Sequence, residues 1–171
     1  MNILALDLAR QTGFALFLED SDRMSVEPEL LSGTKSFSPL PGQDVSALFG
    51  KFSTWLDNEL DGKQIGHVAY ELVNWKIINK DWRIMYLGMT AIIRGACFNR
   101  QITSRGYPVQ DVKLAATGKK NAGKPEMISS ARAQWPEQTI IDDNQADALW
   151  VLYVAMVSLG MPVGKHAGEL F

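Results

Sequence analysis

The chain opens on two apolar runs, residues 2–8 and 13–18, with Arg10, Gln11 and Thr12 as a polar turn between them. Runs of that length and spacing read as a β-hairpin, which commits the start of the fold to a sheet. The first run, Ile3-Leu4-Ala5-Leu6-Asp7-Leu8, carries an acid where its neighbours call for burial. An ionised carboxylate in such surroundings is costly unless it is paired or binds a cation. The pattern returns twice. Glu71 ends Val68-Ala69-Tyr70, and Asp147 leads into Ala148-Leu149-Trp150-Val151.

Between these acids the chain alternates strand and helix signals. Residues 19–29 are polar and acidic, an exposed loop, and residues 30–37 supply a third strand closed by Pro39-Leu40-Pro41-Gly42. From 44 to 60, Val45, Leu48, Phe49, Phe52, Trp55, Leu56 and Leu60 recur at helical spacing. Residues 65–72 read as a buried strand. Asp81 then stands where a cap belongs, before a helix reaching about Phe98. A short strand over 102–108, a helix over 111–116, a Gly- and Lys-rich loop over 117–125 and a helix over 126–133 follow. Residues 139–141 suit a last short strand, and 143–159 are strongly helical. Strands gathered early and helices interleaved later predict an α/β layer fold, a central mixed sheet with helices on both faces. At 171 residues the chain suits one domain, residues 1–159, followed by a Gly- and Pro-containing tail over 160–171.

Asp143 and Asn144 precede Asp147 by four and three residues, so on a helix all three share a face. Asp142 and Asp143 also fall in the first turn, where the helix dipole favours acids, and for Asp142 capping is the simpler reading. Neither His67 nor His166 has a metal-like partner nearby, and His67 reads as a strand-start or surface residue. The single cysteine, Cys97, excludes an intramolecular disulfide and a cysteine-rich zinc site. If Asp7, Glu71 and Asp147 converge, their oxygen donors select a hard cation, Mg²⁺ or Mn²⁺. Two such ions about 4 Å apart would suit phosphodiester hydrolysis.

Charge is unevenly spread. Residues 74–132 hold eleven Lys or Arg against three acids, while the remainder holds six basic and sixteen acidic residues. That asymmetry fits one phosphate-facing surface, and equally fits solvated helix faces. The stretch from Gly118 to Lys124 has the spacing of a nucleotide-binding P-loop, but Pro125 stands where that motif needs Ser or Thr. A nucleotide cofactor is therefore not expected. Lys119, Lys120, Asn121 and Lys124 remain open to two readings, contact with a phosphate backbone or a solvated loop.

Taken in order, Asp7 with Thr12-Gly13-Phe14-Ala15, Glu71, the stretch from Pro108 through Val112-Lys113 and Thr117-Gly118 to Ala122-Gly123-Lys124, and Asp147-Ala148-Leu149 resemble RuvC-type Holliday junction resolvases over residues 3–152. Asn-Ala-Gly-Lys-Pro-Glu-Met and Asp-Asp-Asn-Gln-Ala-Asp-Ala-Leu look closer to phage-encoded members than to the cellular enzyme. The resemblance implies a ribonuclease H-like fold on a central mixed five-stranded sheet, a homodimer, and paired Mg²⁺-dependent nicks in branched DNA. By position it implies metal ligation by Asp7, Glu71 and Asp147, and basic groups near the scissile phosphate at Lys113 and Lys124. The family's fourth acid falls at Asn144 here, so either Asn144 or Asp143 completes that set. An aromatic residue shortly after the Glu stacks on a junction base in the family; Trp75 is the first candidate, beside Lys76, and Trp82 the second.

Two rivals follow from the same residues: a YqgF-like ribonuclease H relative acting on RNA, and a non-catalytic protein that binds branched DNA. Actin-like ATPases share the strand–Asp–turn–Thr-Gly opening but need two such domains. No run reaches the length of a membrane span, and the N-terminus lacks the features of a secretory signal, so a cytoplasmic location is expected.

Overall fold

A computed structural model describes residues 1–19, 28–73 and 79–163. Ten elements run β1 (Asn2–Asp7), β2 (Gln11–Leu18), β3 (Glu29–Ser36), α1 (Val45–Gly62), β4 (Ile65–Leu72), α2 (Lys80–Asn99), β5 (Thr103–Pro108), α3 (Val109–Thr117), α4 (Lys124–Gln134) and α5 (Asp143–Ser158). The five strands form one sheet in the order β3-β2-β1-β4-β5. β1 pairs antiparallel with β2 and parallel with β4, so the sheet is mixed as the sequence predicts.

Both faces of the sheet are covered, which is why β1 reads as a nearly continuous apolar run rather than an alternating one. Leu4, Leu6, Leu16, Val68 and Tyr70 pack against α1 and α2. Ile3, Ala5, Ala15, Ala69 and Tyr107 face α3, α4 and α5. The residues under α5 are small for a reason. Ala5 pairs with Ala15 on one side and with Ala69 on the other, so one row of methyl groups crosses three strands. This shallow trough lets α5 lie close to the sheet. The helix is correspondingly apolar all round, with Ala146, Ala148, Leu149, Val151 and Ala155 fully buried.

Four expectations need correction. The cap of α2 is Asn79, whose side chain accepts the Trp82 N–H at 2.9 Å; Asp81 lies inside the first turn. Residues 139–141 are not a strand. Their polar groups are met by side chains instead: Gln145 accepts from Ile141 N and donates to the Thr139 carbonyl, while Arg132 donates to the Ile140 carbonyl. His67 is neither a strand end nor exposed. It is buried within β4, its Nδ1 is 2.7 Å from Thr103 Oγ1, and burial lowers its pKa. Finally, α3 starts at Val109 and α4 at Lys124, two residues earlier than the hydrophobic pattern suggests, because Pro108 and Pro125 suit helix starts. Asp142 caps α5 as expected, accepting from Gln145 N, and it also receives the Thr34 hydroxyl from β3.

Beyond α5, Met161 and Val163 pack on the α5-side core. Among the described residues no helix is long and apolar enough to cross a membrane.

Candidate active site

β1 and β4 run parallel with Leu6 opposite Tyr70, so one further step sets Asp7 beside Glu71 at the same edge of the sheet. Alternation along each strand turns both acids to the α5 face, with Ala5 and Ala69 two residues earlier. α5 lies over that face, and its first two turns bring Asp143 and Asp147 to the same edge. Three elements distant in the chain thus deliver four carboxylates to one place.

The charges interact. Burial raises the pKa of Asp7 well above the usual carboxylate range, and Glu71, Asp147 and Asp143 push it further, while Lys124 opposes them. Burial and then Asp147 bring Glu71 up to about 7, against the pull of Lys113. Burial and then Asp143 bring Asp147 to about 6, against Lys113 and Lys124. Asp147 Oδ1 is buried and has no hydrogen-bond partner among the described residues. A buried acceptor without a donor is destabilising, and a cation is one means of satisfying it. The donor set, all oxygen, suits Mg²⁺ or Mn²⁺. As they stand, no three His, Cys, Asp or Glu side chains among the described residues are arranged to hold an ion. The Lys124 ammonium pairs with Asp143, which raises the pKa of the lysine.

Lys113 is half-buried and donates to the Ala122 carbonyl at 2.8 Å, which ties α3 to the lysine loop beside Glu71 and Asp147. Gly118 ends α3 in the left-handed region at φ +73, so no strand feeds this loop as a P-loop would require. Lys119 pairs with Glu126, which also accepts the Gly123 N–H at 2.9 Å. Lys120 and Asn121 are exposed. Asn144 is half-buried, and its backbone carbonyl sits directly over Gly13 on β2. Trp75 and Lys76 lie outside the described residues. Trp82 stacks on Tyr86, rings 5.6 Å apart and 7° from parallel.

The sequence reading gave no structural role to three contributors. The Tyr86 hydroxyl donates to the Glu71 carbonyl at 2.7 Å, holding the end of β4 from the α2 side. Gln145, 3% exposed, donates to Ser32 and Thr139 and so anchors the start of α5 to β3. Its signal was there to read: a glutamine in an otherwise apolar helix needs partners. Gly13 is the third. An added Cβ would lie 1.8 Å from the Asn144 carbonyl oxygen, so only glycine admits α5 at this height.

Solved structures share this fold. A Thermus thermophilus RuvC structure superposes with a TM-score of 0.72 at 16% identity, covering 94% of this chain and 98% of that one. The chain has the RuvC fold. A second T. thermophilus RuvC structure, in complex with a Holliday junction substrate, matches equally at 0.72, with 92% and 96% covered. Fowlpox virus resolvase in complex with Holliday junction DNA gives 0.58 at 15% identity over 93% of this chain and 99% of that one. No family model and no curated protein matches the sequence. At such identities what RuvC shares with this chain is the ribonuclease H-like architecture, whose mixed five-stranded sheet and flanking helices are those expected.

Charge crowding at this edge makes a measurable demand on stability. Glu71 and Asp147 hold protons more tightly folded than unfolded, so their contribution is intact at low pH and is lost as pH rises from the ordinary 4.5 of Glu71 towards about 7. In EDTA, thermal denaturation of the Glu71→Gln protein should lose less stability across that window than the parent. His67 works in the opposite sense there, and comparison of the two proteins cancels it. Parallel pH profiles would show that Glu71 is not under this strain.

Proposed function

We propose that this chain is a Mg²⁺-dependent endonuclease that resolves four-way and other branched DNA by paired phosphodiester hydrolysis as a homodimer, with Mn²⁺ able to substitute. The observation that carries the reading is the set of carboxylates from β1, β4 and α5 at one sheet edge, with an unpartnered buried oxygen on Asp147 and two lysines beside it. Asp7, Glu71 and Asp147 would hold the metal, with Asp143 or the side-chain oxygen of Asn144 completing a site for two ions. Bound there, the ions would activate water and neutralise charge on the leaving 3′ oxygen.

The chain's own residues supply the rest. The exposed Lys124 ammonium can turn from Asp143 to a phosphate oxygen, and Lys113, fixed by the Ala122 carbonyl, adds positive potential behind it. Lys119, Lys120 and Asn121 extend the contact along the DNA backbone, and Lys76 with Trp75 or Trp82 is assigned to the junction's centre. One of the two RuvC structures that share the fold, and the fowlpox resolvase structure, are complexes with Holliday junction DNA, which supports a branched substrate. For the dimer, α2 offers an exposed apolar stripe of Ile84, Leu87 and Phe98, the last 83% exposed.

Incubation with a labelled synthetic four-way junction and Mg²⁺ should yield paired incisions that EDTA suppresses, with little cutting of a linear duplex. Preference for structured RNA would favour the YqgF-like alternative. Tight junction binding without incision in Mg²⁺ or Mn²⁺ would leave the accessory-protein reading in place.

A further inference from the structure

The lysine loop lies on the α5 face of the sheet. Of the basic residues outside the positively charged segment, three gather at the same edge but on the other side. Arg10 occupies the β1–β2 turn, and its carbonyl accepts from Phe37 N at 2.8 Å. Lys35, near the end of β3, pairs with Thr12 in the register. It points away from α5, because its neighbour Thr34 is the residue that reaches Asp142. Lys51, on α1, donates to the Ser38 carbonyl at 3.0 Å and keeps further donors free. Lys35 and Lys51 border a shallow depression of about 440 Å³ together with Thr54, Trp55 and Asn58.

No acid lines this depression. Two acids, Asp44 and Asp81, line the separate pocket beside Arg10. Asp57 and Asp61 on α1 are bound to Arg100, and Glu59 to Lys63. Arg10, Lys35 and Lys51 form no ion pair among the described residues, and all three are exposed. Lysines flanked by a threonine and an asparagine are the donors that contact nucleic-acid phosphates without reading bases. Lys51, Thr54 and Asn58 fall on one face of α1 over about 10 Å of helix axis, close to the rise of three nucleotides. Lys35 stands two strands from β1, about 10 Å across the sheet from the strand that carries Asp7.

We propose that Lys35, Lys51, Thr54 and Asn58, with Arg10 at the turn, form a second DNA-backbone surface that receives a different arm of the junction from the one on the lysine loop. This rests on the branched-DNA reading above. With the crossover at the carboxylates, one arm lies along the α3–α4 loop on the α5 side. The arm beyond the crossover leaves over β3 and α1. A linear duplex reaches one surface at a time, whereas a four-way junction bridges both. The chain then selects branched DNA by the angle between two phosphate tracks rather than by base contacts.

The test is binding by the full chain in EDTA to a fluorescent four-way junction and to a linear duplex of equal length, over a range of salt. The double variant K35Q/K51Q should bind the junction about tenfold more weakly, with the slope of log affinity against log salt reduced by about 1.8, and should bind the duplex within about twofold of the parent. Asn58→Lys, which adds a charge to the same track, should tighten junction binding about threefold. Unchanged junction affinity and slope in the double variant would overturn the second surface while leaving the branched-DNA reading intact. Equal losses on both substrates would overturn the separate-arm assignment. A parent protein with no preference for the junction over the duplex would sink the branched-DNA reading, and this inference with it.

Discussion

Asp7→Asn is expected to abolish incision of a four-way junction while making the metal-free protein more stable. Asparagine keeps the shape of the side chain but removes the charge that burial, Glu71, Asp147 and Asp143 all disfavour. A metal ion held by one ligand fewer, and by a neutral one, forfeits several kcal/mol of charge stabilisation, or about 10³-fold or more in rate. Junction affinity should change little, because the phosphate contacts come from lysines. In EDTA at pH 8 the melting temperature should rise by about 2–4 °C for each kcal/mol of relieved repulsion. Loss of activity together with gain of stability marks a functional strain, and a purely structural acid would show the reverse. Cleavage at the parental rate would remove Asp7 from the active site.

Gly13→Ala should be among the most damaging single-methyl changes available to this fold. The new Cβ meets the Asn144 carbonyl oxygen at 1.8 Å, its carbon at 2.4 Å and the Ala148 methyl at 3.2 Å. Two of these three obstacles are backbone, so no rotamer change relieves them. Either α5 lifts from the sheet or β2 yields, and overpacking of this kind costs about 1–3 kcal/mol, occasionally more. Lifting the first turns of α5 carries Asp143 and Asp147 away from Asp7 and Glu71, and a displacement of about 1 Å costs on the order of 10²-fold in rate. Urea unfolding and junction cleavage should therefore fall together. Gly118→Ala makes a useful contrast: its φ of +73 strains alanine, yet nothing lies within 4 Å of the new methyl, so its cost is confined to the end of α3.

Much of this arrangement could be read from the chain. β1, β4 and α5 announce themselves because each is apolar beyond what an amphipathic element needs, and the acids stand out against that background. The Thr12-Gly13-Phe14-Ala15 stretch was legible as a pattern but not as a cause. The structure supplies the cause: Thr12 closes the turn on the Ala9 carbonyl, Gly13 admits α5, Phe14 packs on the α1 side against Trp55, and Ala15 lines the trough. What stayed hidden depends on long-range partners. Asp81 and Asn79 are equally good caps in isolation, and nothing local in the sequence says that the helix begins at Lys80 rather than two residues later. Residues 139–141 look like a strand because Thr and Ile favour one, yet Gln145, Arg132 and Gln138 satisfy the surrounding backbone from the side and no neighbouring strand is needed. His67 looked peripheral because nothing local says that Thr103 on β5 will meet it. Trp75 and Lys76 fall outside the described residues, so the aromatic assignment rests on sequence alone.

The pairing of Lys124 with Asp143 makes two ligands thermodynamically interdependent on the function proposed here. An ammonium held by a carboxylate has less to offer an incoming anion, and a carboxylate covered by an ammonium has less to offer an incoming cation. Whatever draws one of them away leaves the other available, and the favour must be returned in equal measure. Divalent ions and nucleic acid should accordingly each raise the other's affinity, and a chain that meets only one of them stays at rest.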